Sequence, residues 1–590
     1  MVEEAITRPV GGGGRANMLR FATQVVKGRW FMMFASFVIM AGAGATYVFG
    51  TYSKQIKASL AYDQTTLNLL GFFKDLGANI GVFSGLISEV TPIWFVLLAG
   101  AAMNFVGYFM IWLSVTYKIA KPSVWQMCLY ICIGANSQNF ANTGVLVTCV
   151  KNFPENRGIM LGLLKGFTGL SGAVMTQIYL AVYGNDAKSL ILLIGWLPAA
   201  ISVAFVYTIR IIKTGRGSGV DESRVFFHYL YIALSLAGFA MVITILQKQI
   251  AFSHVAYICS ALVICILLSL PLVVSIKQER VVWNLKRKHF SPPTDEVLET
   301  SKPSGSLPVL APVVPKVGFF SNVFKKPDRG EDYTILQALL STDMLIILIM
   351  TFCGLGTNLT AVDNLGQIGE SLGYPTLTIS TFVSLVSIWN FCGRVFAGFV
   401  SEYLLKKLKF PRPLMITIVL LLSCVGHLLI AFPVSGSLYI ASIMIGFAYG
   451  AQLTLLYTII SELFGLKHFG TLFNCGQLAS PLGSYVFNVR VAGRFYDREA
   501  LKQLARKGLT RNSVKELTCI GAACYRLSFI ILASVAASGA CASLILVMRT
   551  VPFYKGDIYK KFRDNLEGSD GTEMVLPNSD VTHLHGETKK

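Results

Sequence analysis

Residues 82–89 read VFSGLISE, and residues 395–402 read VFAGFVSE. The two octapeptides are identical at five of eight positions, including a glycine and the closing Ser-Glu pair. Each one ends a long apolar run, so each marks the same end of a predicted membrane-spanning helix. A repeat of this kind predicts that the chain is built from two related halves.

The composition around these repeats is that of a membrane protein. Of the 590 residues, 54% are hydrophobic and 14% are charged, whereas soluble domains carry about 25% charged residues. This much apolar surface excludes a soluble enzyme, a disordered chain and a disulfide-rich scaffold. The formal net charge of +20 is expected mainly in cytoplasmic loops, where it orients the helices. No basic patch on a soluble domain indicates nucleic-acid binding.

Apolar runs long enough to cross a bilayer predict an all-α polytopic membrane protein with about fourteen transmembrane helices, twelve being the alternative count. Two six-helix halves, over 30–212 and 335–548, are expected to flank an inserted helix pair. The predicted spans are 30–51, 66–88, 93–115, 124–148, 158–183, 189–212, 226–247, 253–276, 337–357, 376–403, 412–432, 437–462, 470–490 and 525–548.

Polar segments are expected to separate these parts. They are a cytoplasmic N-terminal tail over 1–29, a linker with the extra helix pair over 213–276, a disordered cytoplasmic loop over 277–334 and a cytoplasmic C-terminal tail over 549–590. Lys and Arg before the first span and in short loops place both termini in the cytoplasm. The loops 358–375 and 491–524 are expected outside, although the second is rich in Lys and Arg.

Two motifs resemble the loop signature of the major facilitator superfamily. Gly398-x-x-x-Glu402 is followed by Lys406-Lys407, with Glu in place of the usual Asp, whereas Gly85-x-x-x-Glu89 lacks the basic cluster. Longer stretches resemble the plant nodulin-like group of that superfamily: GRWFMMFASF, AYDQTTLNLLGFFKDLGANIG, GANSQNFANTG, LIGWLPA, GEDYTILQAL, AVDNLGQIGESLGYP, KFPRPLM and FYKGDIYKKFR. The resemblance implies a transporter fold and a plant source, and little about the substrate.

Charged residues inside the spans are candidates for a solute or proton pathway. Each costs about 2.5–3.5 kcal/mol on insertion scales, so its presence needs an explanation. Lys74 and Asp75 lie in the second span and Lys165 in the fifth, at depths that allow an Asp75–Lys165 pair near the midplane. Such a pair is either a proton- or anion-linked transport site or a structural ion pair.

Amide side chains are the other candidates for this pathway. In the fourth span they recur every three residues, so they share one helix face that is expected to look into the bundle. Either they bind a hydroxyl- or carboxylate-bearing solute, or they join helices to one another. The amide residues are Asn136, Asn139 and Asn142, with Gln452, Asn474 and Gln477 in the second half, where Gly476 to Gly483 predicts a broken helix.

The candidate gating residues are Glu89, Arg394 and Glu402, near the cytoplasmic ends of their spans. Arg394 is expected either to extend to the membrane surface or to pair with one of these acids. Cys519 and Cys524 can form a disulfide in the predicted outside loop. The spacing of His and Cys indicates no metal site, and no nucleotide-binding or catalytic motif indicates a cofactor.

The sequence therefore predicts a secondary active transporter of a small polar or anionic solute, coupled to H⁺ and working by alternating access. It would lie in the plasma or vacuolar membrane and would not be an enzyme. The alternative is a receptor or scaffold that does not transport and signals through its cytoplasmic loop. The tail sequence Tyr559-Lys560-Lys561-Phe562 fits either a sorting signal or a basic interfacial helix.

Overall fold

The computed structural model describes residues 14–44, 48–62, 64–184, 186–212, 222–250, 252–289, 326–508 and 517–559. Regular structure in these segments is helical, and they contain no β-strand. They include ten helices long and apolar enough to cross a bilayer, or up to eleven if the bent pair Asn17–Lys27 and Arg29–Gly42 is one span. The chain is an integral membrane protein.

The first half consists of nine helices, and two of its predicted spans are broken. The first span is divided between α2 and α3, and the second between α4 and α5, with the break at Ile80 and Gly81. The helices are α1 (Gly14–Lys27), α2 (Arg29–Gly42), α3 (Phe49–Leu60), α4 (Gln64–Asn79), α5 (Val82–Val90), α6 (Ile93–Val115), α7 (Val124–Asn152), α8 (Arg157–Tyr183) and α9 (Ala187–Ala204).

The inserted pair, α10 (Glu222–Gln249) and α11 (His254–His289), follows. Residues 277–289, which we expected in a disordered loop, instead continue α11, and residues 290–325 lie outside the described residues. The apolar run Val281-Val282-Trp283 extends this helix, and the Trp283 ring contacts that of Phe21 on α1 at 6.0 Å.

An aromatic cluster around Trp30 fixes the inserted pair to the first half. The Trp30 ring lies 5.9 Å from that of Phe226 and 6.4 Å from that of Tyr229, both on α10. On α11, Ser275 donates a hydrogen bond of 2.8 Å to the Trp30 carbonyl, and Glu279 accepts one of 3.1 Å from its backbone N–H.

The second half begins with a short helix and ends with a long one. Its elements are α12 (Ile335–Leu339), α13 (Thr342–Ser371), α14 (Thr376–Leu408), α15 (Arg412–Ala431), α16 (Ser437–Leu463), α17 (Phe469–Gln477), α18 (Ala479–Ser484), a π-helix (Tyr485–Gly493), α19 (Arg494–Arg506) and α20 (Ala523–Lys555). In place of the predicted break, the helix is interrupted only at Leu478, between α17 and α18, where the backbone keeps helical torsions, and it continues into the π-helix. The expected outside loops are partly helical, because α13 extends to Ser371 and α19 lies within 491–524.

The count of fourteen spans stays a prediction. Four predicted spans have no counterpart among the ten long apolar helices: 30–51, 66–88, 124–148 and 470–490. Three of these are divided between shorter helices. The fourth corresponds to α7, whose amide-rich face makes it less hydrophobic although it has 29 residues.

A tight turn between α14 and α15 positions the charged residues described below. Lys409 ends α14 in the left-handed conformation, with φ of 51°, and Pro413 stands in the first turn of α15. The turn therefore brings the last residues of α14 close to Arg412. We call the end of the bundle where this turn, α1 and Tyr559 lie the terminal end, and the other the opposite end.

We predict that Trp30→Ala loosens the inserted pair and lowers the thermal unfolding midpoint of the detergent-purified protein. Trp30 is fully buried, and truncating such a side chain costs about 3–5 kcal/mol. Trp125→Ala is the matched control, because this ring is 67% exposed. Circular dichroism during heating compares the variants, and equal midpoints for the two would contradict the role given to Trp30.

Candidate functional site

The glycines of the two octapeptides lie where the halves touch at the terminal end. A Cβ atom on Gly398 would lie 2.6 Å from the carbonyl oxygen of Gly158 and 3.0 Å from Cα of Gly162, both on α8. A Cβ atom on Gly85 would lie 2.6 Å from Cα of Thr471 on α17. Side chains do not fit at such distances, so the repeat places glycine at two separate contacts between the halves.

Next to Gly398, a buried ion cluster joins four helices of the second half. The Arg412 guanidinium lies 2.5 Å from the Glu402 carboxylate and 2.8 Å from that of Glu462, and none of these side chains is more than 1% exposed. Tyr554 of α20 donates to Glu462 at 3.0 Å, and Ser401 accepts from Arg412. Buried charges are tolerated when they are paired in this way. We call these residues the Arg412 cluster.

The C-terminal tail enters the Arg412 cluster through Tyr559. Its hydroxyl donates to Glu402 at 3.1 Å, and the Arg157 guanidinium lies 5.3 Å from its ring centroid. Burial, assisted by the Glu402 carboxylate, raises the pKa of Tyr559 well above its usual value, so the phenol stays a neutral donor. Tyr559 is only 5% exposed, so this conformation does not present it as a sorting signal; residues 560–562 lie outside the described residues.

Further polar contacts at the terminal end cross between the halves. Arg157 of α8 donates to the Ser461 carbonyl on α16 at 2.6 Å, and Lys406 of α14 donates to Asn156 at 2.9 Å. These bonds lie beside the Gly158–Gly398 contact. The first half is therefore tied to the second around the Arg412 cluster.

The other predicted gating acid, Glu89, also reaches across the halves. One carboxylate oxygen lies 2.8 Å from His468 Nδ1, and the other accepts a hydrogen bond of 3.2 Å from Thr471. Both partners belong to the segment that begins α17. The two repeated acids therefore occupy comparable positions with different partners, a histidine for Glu89 and an arginine for Glu402.

The predicted pairing of Arg394 with Glu89 or Glu402 is wrong in this structure, because other residues hold both acids. Arg394 instead donates to the Asn390 side-chain oxygen and to the carbonyl of Lys165, each at 2.7 Å. The second bond crosses from α14 to α8. A buried guanidinium thus reinforces the interface between the halves one layer above the glycine contact.

The predicted Asp75–Lys165 pair is also absent. Lys165 is 5% exposed, and its ammonium lies 4.8 Å from the centroid of the Tyr457 ring. The Tyr457 hydroxyl bonds to Gln477, whose amide donates to the Asn79 side chain at 3.4 Å. This chain of contacts crosses between the halves twice, once from α8 to α16 and once from α17 to α4.

Asp75 pairs with its neighbour in the chain. Its carboxylate lies 2.6 Å from the Lys74 ammonium, and the side chains are 56% and 16% exposed, respectively. Asp363 of α13 lies within electrostatic range of both and accepts from Asn488 at 3.4 Å. Asp363 is not among the candidates from the sequence, because the segment 358–375 was predicted to be an outside loop.

The amides of α7 support the broken second span. Asn136 donates to the carbonyls of Gly77 at 2.9 Å and Ile80 at 2.7 Å, and Asn139 donates to that of Gly77 at 3.0 Å. The break removes the helical partners of these carbonyls, so the side-chain amides replace them. Of the two interpretations, these contacts favour bonding between helices. Asn142 is buried, and its side-chain oxygen has no partner among the described residues.

The second-half amides divide into two groups. Asn474 donates to Thr143 at 2.9 Å and would collide with a Cβ atom on Gly81, so it lies at the same break as Asn139. Gln477 joins Tyr457 to Asn79, as described above. Gln452 lies apart, inside the second half, and donates to Ser423 at 3.3 Å.

The predicted disulfide lies outside the interface between the halves. The structure has a disulfide that joins Cys519, which precedes α20, to Cys524 in the first turn of α20. The part of the chain that the structure describes holds no group of three or more His, Cys, Asp and Glu side chains suited to a metal ion.

Several residues of the site were not recognised from the sequence. Arg412 was interpreted as an orientation signal, and Glu462 and His468 received no role. Each stands at a span boundary, where a charge is ordinarily solvated. The available signal was the Gly-x-x-x-Glu motif itself, because an acid at a helix end beside a tight turn is well placed to meet the first basic residue of the next helix.

Comparison with known proteins identifies relatives of both halves. The Nodulin-like family model matches residues 29–276, and the model of the NFD4 C-terminal domain matches residues 334–555. The chain is 27% identical to Protein NUCLEAR FUSION DEFECTIVE 4 of Arabidopsis thaliana over 89% of each chain. It is 28% identical to the Probable transporter MCH1 of Yarrowia lipolytica over 26% of this chain and 31% of that one.

Solved structures of similar extent are among the matches. The proton:xylose symporter XylE, a major facilitator superfamily protein, aligns over 90% of this chain and 96% of its own, with 12% identity and a TM-score of 0.49.

We predict that Arg412→Met lowers stability strongly. The substitution leaves the carboxylates of Glu402 and Glu462 buried without their cation, and breaking a buried pair costs about 3–5 kcal/mol. The unfolding midpoint of the purified protein measures the effect.

Lys407→Met is the control, because it removes a positive charge outside the cluster on the neighbouring helix end. The triple variant Arg412→Met, Glu402→Gln, Glu462→Gln should recover part of the loss, since it leaves no unpaired charge. An Arg412→Met midpoint equal to that of Lys407→Met would contradict the stabilising role of the cluster.

Proposed function

The chain belongs to the nodulin-like group of the major facilitator superfamily, and from this premise we propose that it is a secondary active transporter of a small polar or anionic solute. In this proposal the halves rock against each other and expose a central path to each side of the membrane in turn. The terminal end faces the cytoplasm of a plasma or vacuolar membrane, because Lys151, Lys406, Lys407 and Lys409 lie near its loops.

The observation that carries the proposal is the asymmetry of the interface between the halves. At the terminal end, α8 and α14 touch at the backbone through Gly158, Gly162 and Gly398. Towards the opposite end, the same two helices are separated by a cavity of about 280 Å³. An interface that is closed at one end and open at the other is the geometry of one of the two states of alternating access.

The contacts that close the terminal end are of a kind that can be exchanged. Apart from the glycine contacts, they are individual hydrogen bonds from Arg157, Lys406 and Arg394, together with the Glu89–His468 pair. Each hydrogen bond from a charged donor contributes about 1.5–3 kcal/mol net, so a transport cycle can break them and form others. The Arg412 cluster itself lies within the second half and can stay intact when the halves separate.

The proton is the proposed coupling ion, and Asp75 is its proposed carrier. Asp75 is accessible, it pairs with Lys74, and Asp363 of the other half lies within electrostatic range. Protonation of Asp75 removes its attraction for Lys74 and the negative charge that it presents to Asp363. Proton binding therefore changes the electrostatic balance between the halves, as coupling requires.

We predict solute-dependent proton entry into liposomes that contain the purified chain. Vesicles loaded with the pH dye pyranine are placed in an acidic medium with a mixture of sugars, organic acids and amino acids, and solute accumulation is measured by mass spectrometry. Accumulation that collapses with a protonophore supports coupled transport. No flux of any solute would instead favour the receptor or scaffold alternative.

Asp75→Asn should remove the pH-driven part of this accumulation and retain downhill exchange. The amide keeps the shape of the side chain but cannot bind and release the proton. Asp497→Asn is the control, because Asp497 is also an exposed acid in the part of the chain towards the opposite end. Normal pH-driven uptake by Asp75→Asn would exclude Asp75 as the proton carrier.

Glu402→Gln is expected to open the terminal end more often. The substitution removes the carboxylate charge that lies 3.6 Å from the Lys406 ammonium, whose hydrogen bond to Asn156 joins the halves beside the Gly158–Gly398 contact. A cysteine introduced at Ser461, which is fully buried at this contact, reports the opening through its labelling rate by a maleimide. Glu370→Gln, at the opposite end, controls for loss of charge, and an unchanged labelling rate in Glu402→Gln would contradict the gating role.

A further inference from the structure

The described lining of the cavity between the halves includes none of the residues predicted for the solute path. Its walls are α8, α14, the inserted helix α10 and the first residues of α3. Its floor is formed by Gly169 and Asn390 next to Arg394, since a Cβ atom on Gly169 would lie 3.6 Å from Arg394 Nη1. The volume of about 280 Å³ is too large for a packing defect and is suited to a small molecule.

The described lining of the cavity has polar groups. Among the described lining residues, the side chains are either apolar or end in a hydroxyl or an amide, and none is Asp, Glu, Lys, Arg or His. The polar residues used below are Thr176, Gln177, Thr244, Gln247, Ser387 and Asn390. A cation buried here would have no counter-charge among the described lining residues, which is strongly unfavourable in a membrane interior.

Three hydroxyl groups of the lining are oriented as acceptors. Thr176 donates its proton to the Gly172 carbonyl at 2.8 Å, Thr244 to that of Ala240 at 2.7 Å, and Ser387 to that of Val383 at 3.1 Å. Each hydroxyl oxygen therefore keeps its lone pairs for another partner. A ligand must supply O–H or N–H donors to use them.

Asn390 at the floor has the complementary polarity. Its side-chain oxygen accepts from Arg394 Nε at 2.7 Å, which leaves the amide NH₂ as the group that can serve a ligand. Its NH₂ has no hydrogen-bond partner in the described part of the chain. A carboxylate can accept from Asn390 but cannot donate to the hydroxyls, and an ammonium group can donate but cannot accept. A neutral hydroxyl does both.

The inserted helix α10 is a fixed part of this wall. Gln247 of α10 and Gln177 of α8 exchange two hydrogen bonds of 3.0 and 2.8 Å, and Ser260 of α11 donates to Gln177 at 3.1 Å. These bonds hold Thr244, one turn before Gln247, at the cavity. The inserted pair therefore contributes side chains to the space between the halves.

We propose that this cavity binds a neutral solute with several hydroxyl groups, held between α8, α14 and the inserted helix α10. The assignment rests on the proposed transport function and narrows its solute class from polar or anionic to uncharged and hydroxylated. It also gives the inserted helix pair a direct part in solute binding.

Ligand-dependent thermal stabilisation of the purified full chain tests the class of solute. The neutral probes are myo-inositol, D-glucose and glycerol, and the charged probes are malate and choline. A ligand that binds only the folded state raises the unfolding midpoint with concentration, so at least one neutral probe should do so. Stabilisation by malate or choline alone, or by no neutral probe, would overturn the assignment.

Thr244→Val tests the contribution of α10, because it removes the acceptor and keeps the shape of the side chain. The apparent dissociation constant of the stabilising probe should rise by about 3–10-fold, as expected for one lost hydrogen bond. Ser235→Ala is the matched control: Ser235 makes the same intrahelical bond, at 2.8 Å, on the exposed side of α10. Equal affinities in the two variants would exclude α10 from the site.

Labelling locates the cavity independently of any solute. Cysteine introduced at Thr244, with the ten free cysteines replaced, should react with a membrane-impermeant thiol reagent, and a stabilising probe should slow the reaction. Reaction only with an apolar reagent would mean that lipid fills the cavity and would overturn the proposal. If liposome flux persists in that case, transport stands and only this site is wrong; probe binding without any flux would contradict transport instead.

Discussion

Direct contact between the backbones of the two halves is the constraint on which the rest of the structure depends. At Gly398 and Gly85 there is no room for even a methyl group, so neighbouring helices approach until their main chains touch. This approach brings Arg157 to the Ser461 carbonyl and Glu89 to His468, because these partners stand within a turn or so of the glycines. The structural role of the repeat is therefore to place a residue without a side chain at two contacts between the halves.

The Arg412 cluster shows how a polar device can be built within an apolar bundle. Two carboxylates, one guanidinium and two phenols satisfy one another where four helix ends and the tail meet. Burying charge offers little net stability compared with apolar packing, but removing one member is costly. The cluster consequently fixes the relative positions of α14, α15, α16 and α20, and it ties the tail residue Tyr559 to the same place.

The fold was largely predictable from the sequence, because the length of an apolar run and its internal repeat are local properties of the chain. The candidate site was predictable only in part, because partner choice depends on distant geometry. The sequence indicates Asn136 as a candidate solute ligand. In the structure it binds the Ile80 carbonyl, which the helix break leaves without a helical partner. The sequence allows Asp75 to pair with Lys165, whereas in the structure its partner is Lys74. Asp363 was hidden because α13 continues past the point where its apolar character fades.

The inserted helices α10 and α11 are attached more firmly to the first half than to the second. Trp30, Ser275, Gln177 and Gln247 bind both inserted helices to the first half, whereas α10 meets the second half along α14, as in the contact of Phe227 with Phe399 at 5.3 Å. In the proposed rocking motion, these contacts would keep the inserted pair with the first half. The second half would then slide past α10, so the boundary between the moving parts would lie between α10 and α14 rather than midway between the two repeats.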